Sequence, residues 1–145
     1  MELVAVDYQA PNADKLFVES LHKTGFGVLK NHPISQDRVS SIYKRWEAFF
    51  NSEEKNKFTF NKDTHDGFFS TEISETAKGF KKKDIKEYFH FYPWGRCPGA
   101  LKQEVADYYR DTNLLASELL AWVEKYSPPE VSAKYTQSLS SMVVN

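Results

Sequence analysis

Few residues in this sequence could do acid, base or metal chemistry. There are four histidines, His22, His32, His65 and His90, and a single cysteine, Cys97. A mononuclear iron site of two histidines and one carboxylate leaves positions open for oxygen and a co-substrate. On a strand its first two ligands are spaced H-x-D, because residues i and i+2 share a face. Two positions after the four histidines stand Thr24, Ile34, Gly67 and Tyr92, and none is a carboxylate. The reversed pair Asp63-x-His65 comes nearest, in a polar stretch without a third ligand in view. His22 falls on a helical pattern and is expected at the surface. His32, in "TGFGVLKNHPI", precedes a proline at the end of an apolar run, where an imidazole commonly hydrogen-bonds backbone. It is read as structural.

Other reactive patterns are weaker. Gly25-x-Gly27 lacks the third glycine and the helix start of a phosphate loop. Cys97, in "GRCPG", has no base beside it, and no G-x-S-x-G elbow occurs. Glu53-Glu54 read as charges in a first helical turn rather than an acid/base pair. The run Lys81-Lys82-Lys83, near Lys78 and Lys86, reads as a solvated loop in a chain of net charge −1. The segment Tyr88-Phe89-His90-Phe91-Tyr92 stands out more. A period of two puts Phe89 and Phe91 on one face and Tyr88, His90 and Tyr92 on the other. The first face is greasy; the second is aromatic yet able to hydrogen-bond. Pattern alone reads that second face as the polar outer side of a half-buried sheet, with a ligand-lining strand as the alternative.

The elements that would position these residues follow from periodicity. Leu3 to Val6 reads as a short strand. A helix follows with Ala13, Leu16, Phe17 and Leu21 on its apolar face, closed by Gly25. Phe26 to Leu29 reads as a brief buried strand. Ser35 is placed to cap a second helix, whose apolar set is Val39, Ile42, Tyr43, Trp46, Phe49 and Phe50. The polar stretch "NSEEKNKFTFNKDTHDG" predicts a turn or helical fragment. Strands are expected at "GFFST" and "KEYFHFYP", with "EISETAKGFKKKD" as a connecting loop and "PWGRCPG" as a turn. Leu101, Val105, Tyr108, Tyr109, Leu115, Leu119, Trp122, Val123 and Tyr126 trace one face of a helix about seven turns long, stopped by Pro128-Pro129. A shorter helical piece is expected from Pro129 to about Ser138. Met142-Val143-Val144 has the look of a strand beginning.

Composition bounds the class. With 145 residues, 41% hydrophobic and 27% charged, the chain suits one soluble domain. Eleven Phe, eight Tyr and three Trp supply a core without disulfides. The near-neutral charge gives no reason to expect nucleic acid or an anionic membrane as partner. No signal peptide or membrane span is visible, so a cytoplasmic location is expected.

Taken in order, "GFGVLKNHPI", the aromatic helix, "EEKNKF", "DGFFS" and "KGFKKKDIKEYFHFYP" resemble the N-terminal region of the isopenicillin N synthase-like 2-oxoglutarate/Fe(II)-dependent oxygenases. Matching positions are Gly25, Phe26, Asn31, His32 and Ile34, then Gly67 and Phe68, then Lys86, Glu87, Phe89 and Pro93. Pro33 and Gly27 depart from the family, which usually has glycine and often an aromatic there. The resemblance implies an α+β chain whose N-terminal helices and few strands flank or begin a double-stranded β-helix (jelly-roll) core. Most of that core's strands would be absent from residues 1–145, read as one domain or half-domain.

The resemblance also implies Fe(II) and 2-oxoglutarate as cofactors, with the H-x-D…H triad and the Arg-x-Ser outside this chain. It assigns His32 a structural place and no catalytic or metal-ligating residue. It puts His65, Phe69, Tyr88, His90 and Tyr92 beside a small-molecule substrate. The implied function is scaffold and one substrate wall of an iron-dependent oxidoreductase, the chain alone being inactive. Pairing with a C-terminal half would complete it. The alternative is a non-catalytic relative that binds another protein through an exposed sheet edge.

Overall fold

The computed structural model describes residues 3–72 and 85–132. The expectations for Lys81-Lys82-Lys83, for Met142–Val144 and for the helical piece past Ser132 lie outside these residues, as does most of the "EISETAKGFKKKD" connection. The chain divides into two compact units: one holds the N-terminal stretch to Gln36 and the chain from Tyr108 onward, the other Asp37–Asp107.

The first unit begins with β1 (Val6–Asp7), followed by α1 (Ala13–Thr24) and β2 (Leu29–Lys30). β1 and β2 pair in parallel, Val6 opposite Leu29 and Asp7 opposite Lys30. Both strands sit later in the chain than the apolar runs suggested. The Val6 N–H donates to Val28 O (2.8 Å) and the Tyr8 N–H to Lys30 O (2.9 Å), which fixes where pairing starts. Leu3, Val4 and Phe26 are left exposed. α1 ends as expected: Gly25 takes the left-handed conformation (φ 77°) and donates its N–H to Leu21 O. His22 and Lys23 in the last turn suit the negative end of the helix dipole.

α3 (Gly99–Tyr126) is the long helix expected from the apolar spacing, and α4 (Pro129–Ser132) follows it. In the first unit, Phe17 meets Trp122 edge-on at 5.8 Å and Tyr8 lies 5.5 Å from the same indole. The Tyr8 hydroxyl donates to Glu118, which pushes the phenol up to about 12. Lys125 Nζ lies 2.6 Å from Asp14 Oδ2, and the Tyr126 hydroxyl donates to the same oxygen at 3.0 Å. Side chains 110 and more positions apart are thus tied together by polar contacts around one aromatic cluster.

The second unit contains α2 from Asp37 on, a 3-10 helix at Glu53–Phe58, β3 (Gly67–Phe69), β4 (Tyr88–His90) and the start of α3. α2 (Gln36–Phe50) buries Ile42 and Phe49, while Tyr43 is 72% exposed although the spacing places it on the apolar face. Its core is Phe49, Leu101 and Val105, packed against Trp46, Phe50, Phe58, Phe89, Phe91 and Cys97. β3 and β4 are antiparallel, with Gly67 opposite His90, Phe68 opposite Phe89 and Phe69 opposite Tyr88. Phe60 extends the pairing on the far side of β3, donating its N–H to Phe68 O at 3.0 Å.

Gly67 is required where it stands. Its φ is 112°, and an added Cβ would lie 2.5 Å from Phe58 O and 2.9 Å from Thr59 O, both backbone atoms. Gly67→Ala is therefore expected to cost about 2 kcal/mol from backbone strain and forced separation. A lower urea midpoint would show it, and an unchanged midpoint would contradict it.

Candidate functional site

Strand alternation builds the site. In the β3–β4 pair, Phe68 and Phe89 turn toward the core. Phe89 packs 5.1 Å from Trp46 and 5.6 Å from Phe49, and Phe68 lies 6.1 Å from Phe50. The neighbours on each strand must then face the other way. Phe69 and Tyr88 stack there at 4.4 Å with planes 12° apart, and His90 lies 4.6 Å from Phe69 and 5.2 Å from Tyr88. The period of two read from "YFHFY" thus separates two environments.

The array continues past both strands. On one side Phe60 lies 4.2 Å from Phe69, and His65 lies 6.3 Å from Phe60. On the other, Tyr92 lies 6.4 Å from His90, and Trp94 stacks on Tyr92 at 5.0 Å with planes 19° apart. His65, Phe69, Tyr88, His90 and Tyr92, far apart in sequence, therefore fall in one series of ring contacts. Sequence reasoning missed Phe60 and Trp94. Both had a signal: Phe58 and Phe60 alternate like a strand, and Trp94 continues the step of two from Tyr88. Trp94 is 66% exposed, unusual for so large an apolar ring.

A buried carboxylate paired with a part-exposed guanidinium fixes the two loops that carry the ends of the series. Asp66 is 0% exposed. Its carboxylate accepts from the Thr64 hydroxyl (2.6 Å), from Arg96 Nε (3.2 Å) and Nη2 (3.1 Å), and from the Arg96 backbone N–H. Arg96 Nη2 also donates to Thr59 O at 2.8 Å. Burial by itself would raise the Asp66 pKa. The hydrogen bonds from Thr64 and Arg96, with the guanidinium charge, outweigh it and hold the carboxyl at about 2. The clasp ties Thr59 and Asp66, on the Phe60–His65 side, to Arg96, two residues past Trp94. His65 itself is held in the left-handed region, φ 57°.

The remaining chemistry candidates have structural surroundings. His32 Nδ1 accepts the N–H of Ile34 at 3.3 Å, as read from the sequence. Asn31, also left-handed at φ 58°, donates its amide to Asp7 Oδ2 at 2.9 Å. Cys97 packs against the core, and burial pushes its thiol up to about 11, far from a nucleophile's range. Among the described residues no three His, Cys, Asp or Glu side chains come together as a metal site. Among them also, no helix is long and apolar enough to cross a membrane.

This arrangement has relatives. The family model for "non-haem dioxygenase in morphine synthesis N-terminal" matches residues 7–114. The chain is also similar to the crystal structure of a "Putative oxygenase" from Shewanella oneidensis, with a TM-score of 0.87 and 57% identity. That likeness covers 100% of this chain and 52% of the other, so the chain spans about half the length of that oxygenase. No curated protein matches the sequence.

Proposed function

The chain belongs to the N-terminal family of non-haem dioxygenases, and from that membership we propose that it serves as the N-terminal part of an Fe(II)/2-oxoglutarate-dependent oxygenase. In this reading the second unit supplies one wall of the substrate site, and the jelly-roll core lies in the part of the oxygenase that the match does not reach. The observation that carries it is one series of ring contacts: Phe69, Tyr88 and His90 meet on the side of β3–β4 away from Phe89, and the series runs on to His65 through Phe60 and to Tyr92 through His90. A strand that served only to cover a core would need its Phe89 side and could have any polar residues opposite. This one presents rings and imidazoles at consecutive alternate positions. Support also comes from the left-handed backbone at His65, since such conformations concentrate at working sites.

The described residues do not form an iron centre, for no three ligand side chains meet among them. Iron and 2-oxoglutarate would supply the oxygen-activating chemistry from ligands elsewhere in the oxygenase. This chain's part is to bind and orient the substrate. Anaerobic titration of the purified chain with Fe(II) and 2-oxoglutarate tests the division. The expected result is no visible charge-transfer band. A band with near-stoichiometric iron would overturn the division, and Asp63, His65 and His90 would be the ligands to substitute first.

A further inference from the structure

Resting on the reading of the β3–β4 face as a substrate wall, we propose that Trp94 is the residue that selects the substrate. It takes a flat, unsaturated ring against the face of its indole that Tyr92 leaves open.

The first observation is how the indole is presented. Tyr92 stacks on it at 5.0 Å with planes 19° apart, which covers one face. Trp94 is nonetheless 66% exposed. The rim of a ring is a small part of its surface, so exposure on this scale puts the opposite face in solvent. His90 lies 6.4 Å from Tyr92, so the indole closes one end of the same ring series. Trp94 therefore offers π surface where a ligand lying along the wall would end.

The second observation is that the backbone carrying this ring is held. The Gly95 N–H donates to Tyr92 O at 2.9 Å, closing a four-residue turn with Pro93 and Trp94 at its centre. Proline fixes its own φ at the value the second position of such a turn favours. Directly after Trp94 the chain lies on the buried carboxylate: a Cβ on Gly95 would come 2.9 Å from Asp66 Oδ2. The Arg96 N–H donates to that same oxygen. The turn on one side and the clasp on the other thus restrain the segment. A mobile side chain loses freedom when a ligand orders it, which weakens binding, and a segment already restrained avoids much of that loss.

The ligand class follows from the rings themselves. Aromatic rings gain from offset stacking beyond the apolar area they cover, and a saturated ring does not. The face already uses near-parallel stacking twice, in Phe69–Tyr88 at 12° and in Tyr92–Trp94 at 19°. A flat ligand on Trp94 extends the second stack by one member.

Titration of the 15N-labelled chain followed by NMR tests the proposal, because the three tryptophan indole signals report separately on Trp94, Trp46 and Trp122. Trp94→Phe identifies the first. The probes are benzyl alcohol and cyclohexylmethanol, which carry the same group on a flat and on a saturated ring. Ligands this small call for concentrations on the order of tens of millimolar. The saturated alcohol is the more apolar, so hydrophobic burial alone makes it the tighter binder. Stacking reverses the order: benzyl alcohol is expected to shift the Trp94 signal and to bind roughly threefold tighter. In Trp94→Leu that preference is expected to vanish, read from the Gly95 amide, with the Trp46 and Trp122 signals in place to report that the fold persists. Equal or tighter binding of cyclohexylmethanol at Trp94, or a preference that survives in Trp94→Leu, would overturn the selection and leave the substrate wall standing. Shifts at the Tyr88 and His90 amides with Trp94 unmoved would do the same. If neither alcohol moves Trp94 or those two amides, the selection and the wall both fall.

Discussion

Asp66→Asn is expected to lower the stability of the chain by about 3 kcal/mol. The carboxylate is fully buried and accepts from one hydroxyl, one backbone N–H and two guanidinium nitrogens. An amide of the same size replaces one acceptor oxygen by a donor, which must face either the Arg96 N–H or its side chain. Breaking a buried pair from one side typically costs about 3–5 kcal/mol. Arg96 is 41% exposed and can recover some hydration, which puts the expectation at the low end. A lower urea midpoint at unchanged slope is the readout.

The same pair carries an acid signature. The folded pKa of about 2 lies below the roughly 3.9 of an unfolded aspartate. Its contribution is therefore complete above pH ~4 and is lost as pH falls toward ~2, about 2–3 kcal/mol in all. Asp7 and Asp14 are also held below the usual carboxylate range, Asp7 chiefly by Asn31 and Asp14 chiefly by Lys125, so they add to the same acid limb. The difference between the two proteins isolates Asp66. The variant should lose less stability than the parent between pH 5 and pH 2, and parallel acid limbs would contradict the account.

That clasp marks where the sequence stops being informative. Helices α1, α2 and α3 were legible because a 3.6-residue period shows in one segment without knowledge of any other. The two faces of β4 were legible for the same reason, with a period of two. Strand positions were not, because a strand is defined by its partner. Leu3 and Val4 are as apolar as Val6, yet the hydrogen bonds to Val28 and Lys30 involve only Val6 and Tyr8. Tyr43 matches the helical period but projects from the edge of the buried stripe, which the pattern cannot distinguish from its centre. Asp66 and Arg96 lie 30 positions apart, and neither carries a local mark of burial. The five ring residues were gathered by family resemblance and strand period. Trp94 stands among the turn residues of "PWGRCPG", where the step of two from Tyr88 is its one mark in the sequence.

Phe49→Ala, set against His90→Ala, is expected to separate what holds the second unit together from what it presents to a ligand. Phe49 is 4% exposed, with Trp46, Phe50, Phe58 and Phe89 rings between 5.5 and 6.2 Å away. Its truncation removes four ring contacts and leaves a cavity that a helix face cannot close, for about 3–5 kcal/mol. His90 lies on a three-residue strand directly after Phe89, a residue that does enter that core. Yet its imidazole is exposed, its ring contacts among the described residues are with Phe69, Tyr88 and Tyr92, and its change to alanine should alter stability by no more than ~0.5 kcal/mol. Equilibrium unfolding of both variants decides the matter. A cost at His90 comparable to that at Phe49 would mean that the outer face is a second core, and its imidazoles and phenols would then be packing residues. A near-neutral His90 means that one strand, two residues wide in its alternation, holds the fold with one side and leaves the other for chemistry.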